Sequence, residues 1–140
     1  MNENEMTFQV KEERKVGEVI KGYTYFQEDD VLVAKVTPCF ENGKAGIGRN
    51  LKNGIGFGSS EYYVIRPNDK ILSVWIYLNI TSNEFRTKGK LQMTGTGGLQ
   101  RVPKDFVSSF KIPLPDLPTQ RSIVEQIEKE QALVKRKRLS

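Results

Sequence analysis

The sequence predicts an α+β domain: a twisted, partly closed antiparallel β-sheet with short helices, followed by a C-terminal amphipathic, coiled-coil-like helix. Three observations carry this expectation. Short runs rich in β-branched and aromatic residues alternate with glycines through the first half of the chain. Pro113, Pro115 and Pro118 then close an apolar run. Beyond them, Thr119 to Leu139 contains neither glycine nor proline and spaces its apolar residues for one side of a helix. At 140 residues the chain has the size of one domain with a modest core.

Taken in order, Val16 to Ile20, Tyr23 to Gln27 and Val31 to Thr37 read as strands of a β-meander, punctuated by Gly22 and the Glu28-Asp29-Asp30 cluster. Six glycines follow between Asn42 and Ser60 (Gly43, Gly46, Gly48, Gly54, Gly56 and Gly58). That density weakens strands but permits bulges, tight turns and close approach of backbone to another molecule. Glu61 to Arg66 reads as a further strand, ended by Pro67. In "ILSVWIYLNI", residues 71–80, Leu72, Val74, Ile76, Leu78 and Ile80 alternate as in a strand, while Ile71, Val74, Trp75 and Leu78 mark one face of a helix. Asp69 as a cap and the polar continuation Thr81 to Lys88 favour the helix, with Trp75 in the core. In the last segment Ile123, Ile127 and Val134, with Val124 and Leu133, form a narrow stripe near heptad spacing. Such a stripe suits packing against another helix. The chain thus divides into residues 1–116 and a helix over 117–140. The run Lys135-Arg136-Lys137-Arg138 reads as a solvated helix end that complements the helix dipole.

Composition removes whole classes of chemistry. Cys39 is the only cysteine and histidine is absent, so disulfides, thiolate zinc sites and histidine-based acid-base catalysis are unavailable within one chain. No uncharged run is long enough to span a bilayer, and "MNENEMTFQ" lacks the basic-then-apolar pattern of a signal peptide, so a cytoplasmic location without membrane contact is expected. The net charge of +5 is uneven. Residues 1–30 hold 8 acids and 4 bases; residues 31–140 hold 9 acids and 18 bases. The basic part is a candidate polyanion surface, because phosphate contacts supply affinity in this way, although solubilising charge explains the same count.

Motif tests are negative for catalysis. Gly43-Lys44 and Gly89-Lys90 lack the earlier glycine and the following hydroxyl of a P-loop, and no GxGxxG or GxSxG pattern occurs. Glu28, Asp29 and Asp30 have the chemistry for Mg²⁺, but three acids in a turn before a strand read as a solvated loop.

Three segments, "GYTYFQEDDVLVAKVTPCFENGKAGIG", "NGIGFGSSEYYVIRP" and "MTGTGGLQRVPKDFVSSFKIPLPDLPTQRSIVEQIE", closely resemble the target recognition domain of type I restriction-modification specificity subunits. The resemblance runs from about Phe8 to Glu130, with its parts in the family's order. It implies a non-catalytic protein whose residues 1–116 read duplex DNA while helices dock methyltransferase and restriction subunits. S-adenosylmethionine is then expected on the partner methyltransferase and no cofactor in this chain. Family members usually carry two such domains separated by long helices, so this chain looks like a half-subunit, a separately encoded domain or an excised fragment. Two other readings stay open: the recognition domain of a single-chain restriction-methylation enzyme, or a helix-mediated assembly module with non-specific DNA binding. Ile123, Ile127 and Val134 are the candidates for pairing helices, including a homodimer.

The residues themselves suggest how DNA would be met. A glycine-rich turn lets the backbone from Thr94 through Gly95 and Gly97 approach a duplex, while Gln100 and Arg101 carry the groups that read adenine and guanine edges. Pro103 then begins a short helix, Lys104 to Ser109, and Phe110 to Pro115 anchors the turn to the core. Against this, Arg101 ties the turn down through a salt bridge, for instance to Asp105. Lys35, Thr37, Asn42 and Lys44 lie at a strand end and in a glycine loop, Lys44 being the best phosphate candidate and capping an equal account of Thr37 and Asn42. Ser59, Ser60 and Lys104 complete the candidate DNA contacts, and Glu61 is expected to pair with a lysine.

Overall fold

The computed structural model describes residues 23–51, 54–59 and 61–139. Five strands and four helices follow one another: β1 (Tyr23–Gln27), β2 (Val31–Ala34), β3 (Ala45–Ile47), β4 (Ile55–Ser59), β5 (Tyr62–Ile65), α1 (Ser73–Ile80), α2 (Asn83–Leu91), α3 (Lys104–Ser109) and α4 (Leu117–Leu139). The α+β class stands, with the strands arranged as two open antiparallel sheets. One pairs β1 with β4, setting Tyr23 opposite Ser59; the other has the order β3-β2-β5, with Val31 between Ile47 and Ile65. The expected strand Val16 to Ile20 lies outside the described residues.

The meander is corrected at its first hairpin: β1 and β2 are consecutive but belong to different sheets. β4, the partner of β1, and β3, one of the two partners of β2, come from the glycine-rich stretch, and Phe26 shows why glycine belongs there. A Cβ on Gly56 would lie 2.6 Å from the Phe26 ring and one on Gly48 3.0 Å from it, so the ring fills space that side chains would take. β2 also ends at Ala34, three residues before the expected end, although Val36 continues it as an isolated bridge to Arg101.

The acidic turn between β1 and β2 is more than a solvated loop. Asp30 is 0 % exposed and accepts two hydrogen bonds from Arg66, from Nε and Nη2, each 2.9 Å, and a third from the Gln27 N–H at 2.8 Å. Glu28 accepts the Asn50 and Leu51 N–H groups, each at 2.9 Å, and Asp29 pairs with Arg49. All three carboxylates therefore tie the turn to neighbouring segments.

Residues 71–80 contain the favoured helix, but Asp69 does not cap it. α1 starts at Ser73 with Leu72 as its cap residue and no side-chain cap bond. Buried Gln120 of α4 instead holds the cap residue itself: its Oε1 accepts the Leu72 N–H at 2.9 Å, while its Nε2 donates to the carbonyls of Lys70 (3.0 Å) and Pro115 (2.7 Å). One buried amide thus binds three backbone groups, at a net contribution of about 0.5–1.5 kcal/mol per hydrogen bond. Trp75 is in the core, as expected, and its indole N–H donates to the Pro113 carbonyl at 2.9 Å.

Ser82 caps α2 by accepting the Phe85 N–H, with Glu84 in the first turn and Lys88 and Lys90 in the last, as the helix dipole favours. The core below joins Phe40, Phe85, Phe106 and Phe110 into one aromatic group with ring centroids 4.9 to 5.7 Å apart. Gly89 of α2 faces it: a Cβ there would fall 2.3 Å from Phe40 and 2.9 Å from Phe106.

The stripe on α4 divides. Gln120 and Val124 are buried against the domain and Ile127 is half-buried, so the first turns of the helix are docked. Ile123, Leu133 and Val134 are exposed, the last two by 55 % and 51 %.

Candidate nucleic-acid interface

The stretch from Thr94 to Arg101 folds back on itself. The Thr94 N–H donates to the Arg101 carbonyl at 3.0 Å and the Arg101 N–H to the Thr94 carbonyl at 2.9 Å, enclosing a six-residue loop. Gly95, at φ 125°, and Gly97, at φ 63°, make the reversal. At Gly95 any side chain would be strained, because a Cβ would also lie 2.9 Å from the Leu99 carbonyl oxygen and force the backbone to shift. Thr94 through Leu99 are all exposed.

A stiff frame holds this loop. The return segment docks on the continuation of β2: Thr37 N–H donates to the Gln100 carbonyl and Val102 N–H to the Lys35 carbonyl, both at 2.9 Å. On the same edge the Lys35 N–H donates to the Glu61 carbonyl at 3.0 Å, just before β5. Tyr63 donates its hydroxyl to the Val102 carbonyl at 2.8 Å, and the Lys35 ammonium lies 4.7 Å from the Tyr63 ring centroid. Pro103 precedes α3 as expected, buried Val102 and Val107 flank it, and Ile112 of the anchor segment is buried too.

Arg101 does not pair with Asp105, nor Glu61 chiefly with a lysine; the two pair with each other. The Arg101 Nε meets Glu61 Oε2 at 2.8 Å and its Nη2 meets Oε1 at 2.5 Å, a bidentate fork, while Nη1 points to the Leu99 carbonyl at 3.4 Å. The fork lowers the pKa of Glu61, outweighing a smaller opposing push from burial, and raises that of Arg101. A depressed carboxylate pKa means that the pairing contributes fully above ~4.3, the ordinary glutamate value, and fades as the pH falls through the lower folded value. The Arg101 Nε–H resonance, followed by NMR, is therefore expected to titrate with a midpoint below ~4.3, and a midpoint at or above that value counts against a persistent fork.

The remaining candidates separate into two groups. Lys35, Thr94, Gly95, Gly97, Gln100 and Arg101 share the frame just described, with exposed Lys104 opening α3 beside it. Thr37 bridges to a second group. Its hydroxyl donates to Glu41 Oε2 at 2.5 Å, and Lys90 donates to Thr37 Oγ1 at 3.3 Å and to Glu41 Oε2 at 2.6 Å. Burial pushes the Glu41 pKa up, but the bonds from Lys90 and Thr37 prevail and lower it. Asn42 and Lys44 are exposed on the adjoining loop. Lys44 has both backbone groups engaged, its N–H with the Cys39 carbonyl and its carbonyl with the Ala34 N–H, so only its side chain is available outward. Ser59 lies in β4 opposite Tyr23, and Ser60 lies outside the described residues. Sequence reasoning missed Leu99, 65 % exposed in the loop, and the Arg101–Glu61 partnership, which joins positions 40 apart. Among the described residues no group of three or more His, Cys, Asp or Glu is arranged to hold a metal ion, and no helix is long and apolar enough to cross a membrane.

Residues 7–138 match the family described as type I restriction modification DNA specificity domain. The chain belongs to this family. Two curated relatives from Escherichia coli agree with the assignment. The type I restriction enzyme EcoEI specificity subunit is 45 % identical over 115 residues, 81 % of this chain and 19 % of the relative. The EcoAI specificity subunit is 46 % identical over 112 residues, 79 % of this chain and 19 % of the relative. The chain thus spans about a fifth of the length of these relatives. A solved structure from work on complex assembly and conformational transition of the type I R-M system shares the fold, with a TM-score of 0.56 at 22 % identity over 80 % of this chain and 26 % of that one.

Proposed function

We propose that this specificity domain reads a short sequence in duplex DNA and directs methyltransferase and restriction subunits to it, without catalysing a reaction itself. The observation that supports this most directly is the exposed run of Thr94 to Leu99, whose glycine backbone stands out from a hydrogen-bonded frame that carries Gln100 and Arg101. Recognition needs both features: groups that reach base edges, and a support stiff enough that one register is preferred over another. Lys35, Thr37, Asn42, Lys44, Ser59, Ser60 and Lys104 are the candidates for contacts to the DNA backbone, in a part of the chain with twice as many bases as acids. Residues 117–140 form the attachment element, in which Ile123, Leu133 and Val134 are available to helices of partner subunits or of a second copy. A cytoplasmic location goes with DNA as the target.

The test is selection from a randomised duplex pool at near-physiological salt, with and without a type I methyltransferase subunit from the same source. Enrichment of a fixed short half-site supports the reading; recovery of unselected, salt-labile DNA in both arms defeats it. Lys44 offers a quantitative check on the phosphate contacts. Lys44→Ala is expected to weaken binding to every duplex alike and to reduce the slope of log K against log salt by about 1. An unchanged slope removes Lys44 from the interface.

A further inference from the structure

We infer that Glu61 is a positioning residue for base reading: by gripping one edge of Arg101 it turns the guanidinium into a reader of guanine and turns it away from phosphate. The inference rests on the DNA-reading function proposed above. A guanidinium offers two forks, a side fork of Nε and Nη2 and an end fork of Nη1 and Nη2. Glu61 occupies the side fork at 2.8 and 2.5 Å. Its own position is fixed, because its carbonyl accepts the Lys35 N–H and the next residue opens β5. Arg101 is fixed from the other side by its two backbone bonds to Thr94. With 44 % of its side chain exposed, the arginine keeps its end fork within reach of a ligand, whose acceptor would replace the long 3.4 Å contact of Nη1 to the Leu99 carbonyl.

The chemistry of that fork selects its partner. Guanine presents two acceptors, O6 and N7, in the spacing an arginine fork matches, and carries no net charge on its edge. Phosphate presents matching oxygens but a full negative charge, which the Glu61 carboxylate repels at short range. Glu61, held ionised by Arg101, therefore weakens the contact that carries no sequence information and orients the one that does. Arginines without such a partner serve either role.

The test compares wild type, Glu61→Gln, Glu61→Asp and Arg101→Ala, each as the full 140-residue chain, on the selected duplex and on a scrambled duplex of equal length, with melting temperature as a folding control. Removing the charge in Glu61→Gln is expected to lower affinity for the selected duplex roughly tenfold, the discrimination of one bidentate base contact, while leaving or raising affinity for the scrambled one. Glu61→Asp keeps the charge and is expected to retain more discrimination than Glu61→Gln. Arg101→Ala is expected to lose discrimination to the same extent as Glu61→Gln, and a protein carrying both Glu61→Gln and Arg101→Ala no further. Equal proportional losses on both duplexes, or equal losses in the Gln and Asp variants, would make the pair a latch for the loop and overturn the inference. A discriminating wild type whose ratio is unchanged in Glu61→Gln overturns the role of Glu61 alone, whereas a wild type that discriminates no duplex overturns the reading function with it.

Discussion

Replacing Asp30 with alanine is expected to lower the stability of the domain by about 3 kcal/mol, the lower end for removing one partner of a buried ion pair. Asp30 is fully buried and the Arg66 side chain is 19 % exposed, so the guanidinium keeps little water to replace its carboxylate. Three donors lose their acceptor at once: Arg66 Nε, Arg66 Nη2 and the Gln27 N–H. Against a total stability of about 5–15 kcal/mol for an ordinary domain, that loss is large. Desolvation, more than attraction, sets the size of the effect. The double variant Asp30→Leu with Arg66→Met removes both charges and is therefore expected to lose less than Asp30→Ala alone. Urea unfolding followed by circular dichroism measures both; a single variant within ~1 kcal/mol of wild type would show that water reaches the site and that the pair does not hold the β1–β2 turn.

Gly89 sets helix propensity against packing. In the interior of a helix, alanine is favoured over glycine by about 1 kcal/mol, so Gly89→Ala looks stabilising from the sequence of α2 alone. The new methyl would have to enter space held by Phe40 at 2.3 Å and Phe106 at 2.9 Å, distances no real Cβ contact shows. Both rings belong to the aromatic group at the centre of the core, so relief requires moving several side chains together. Overpacking of this kind costs about 1–3 kcal/mol, and the bulkier Gly89→Val is expected near the top of that range after propensity is included. Packing should win in both variants. Thermal melts decide it: a Gly89→Ala protein more stable than wild type would mean that α2 can shift off the Phe40 ring at little cost.

Much of the local structure was legible because local rules govern it. β-branched and aromatic runs placed β1, the start of β2 and β5, and the proline-free C-terminal segment placed α4. Residues 71–80 contain the expected helix, yet for a reason that did not hold, since its cap residue is Leu72, held by Gln120, and not Asp69. Gln120 lies 48 residues from Leu72, beyond the reach of any pattern in the helix itself. β3 and β4 were hidden in the glycine-rich stretch, where low strand propensity is offset by the fit of Phe26 over Gly48 and Gly56.

The candidate site divides in the same way. Three linked segments were enough to place the family, and composition sets the chemistry available to the loop: glycines for close approach, Gln100 and Arg101 for base edges, no histidine and one cysteine. What those groups face depends on the folded arrangement. Arg101 meets Glu61, and Thr37 and Lys90 share Glu41, because the continuation of β2 brings the chain after Ala34 against both the glycine loop and the start of β5. Composition fixes which hydrogen bonds a side chain can make. Which one it makes is set by the sheet register that brings distant partners within 3 Å, and that register is a property of the whole fold.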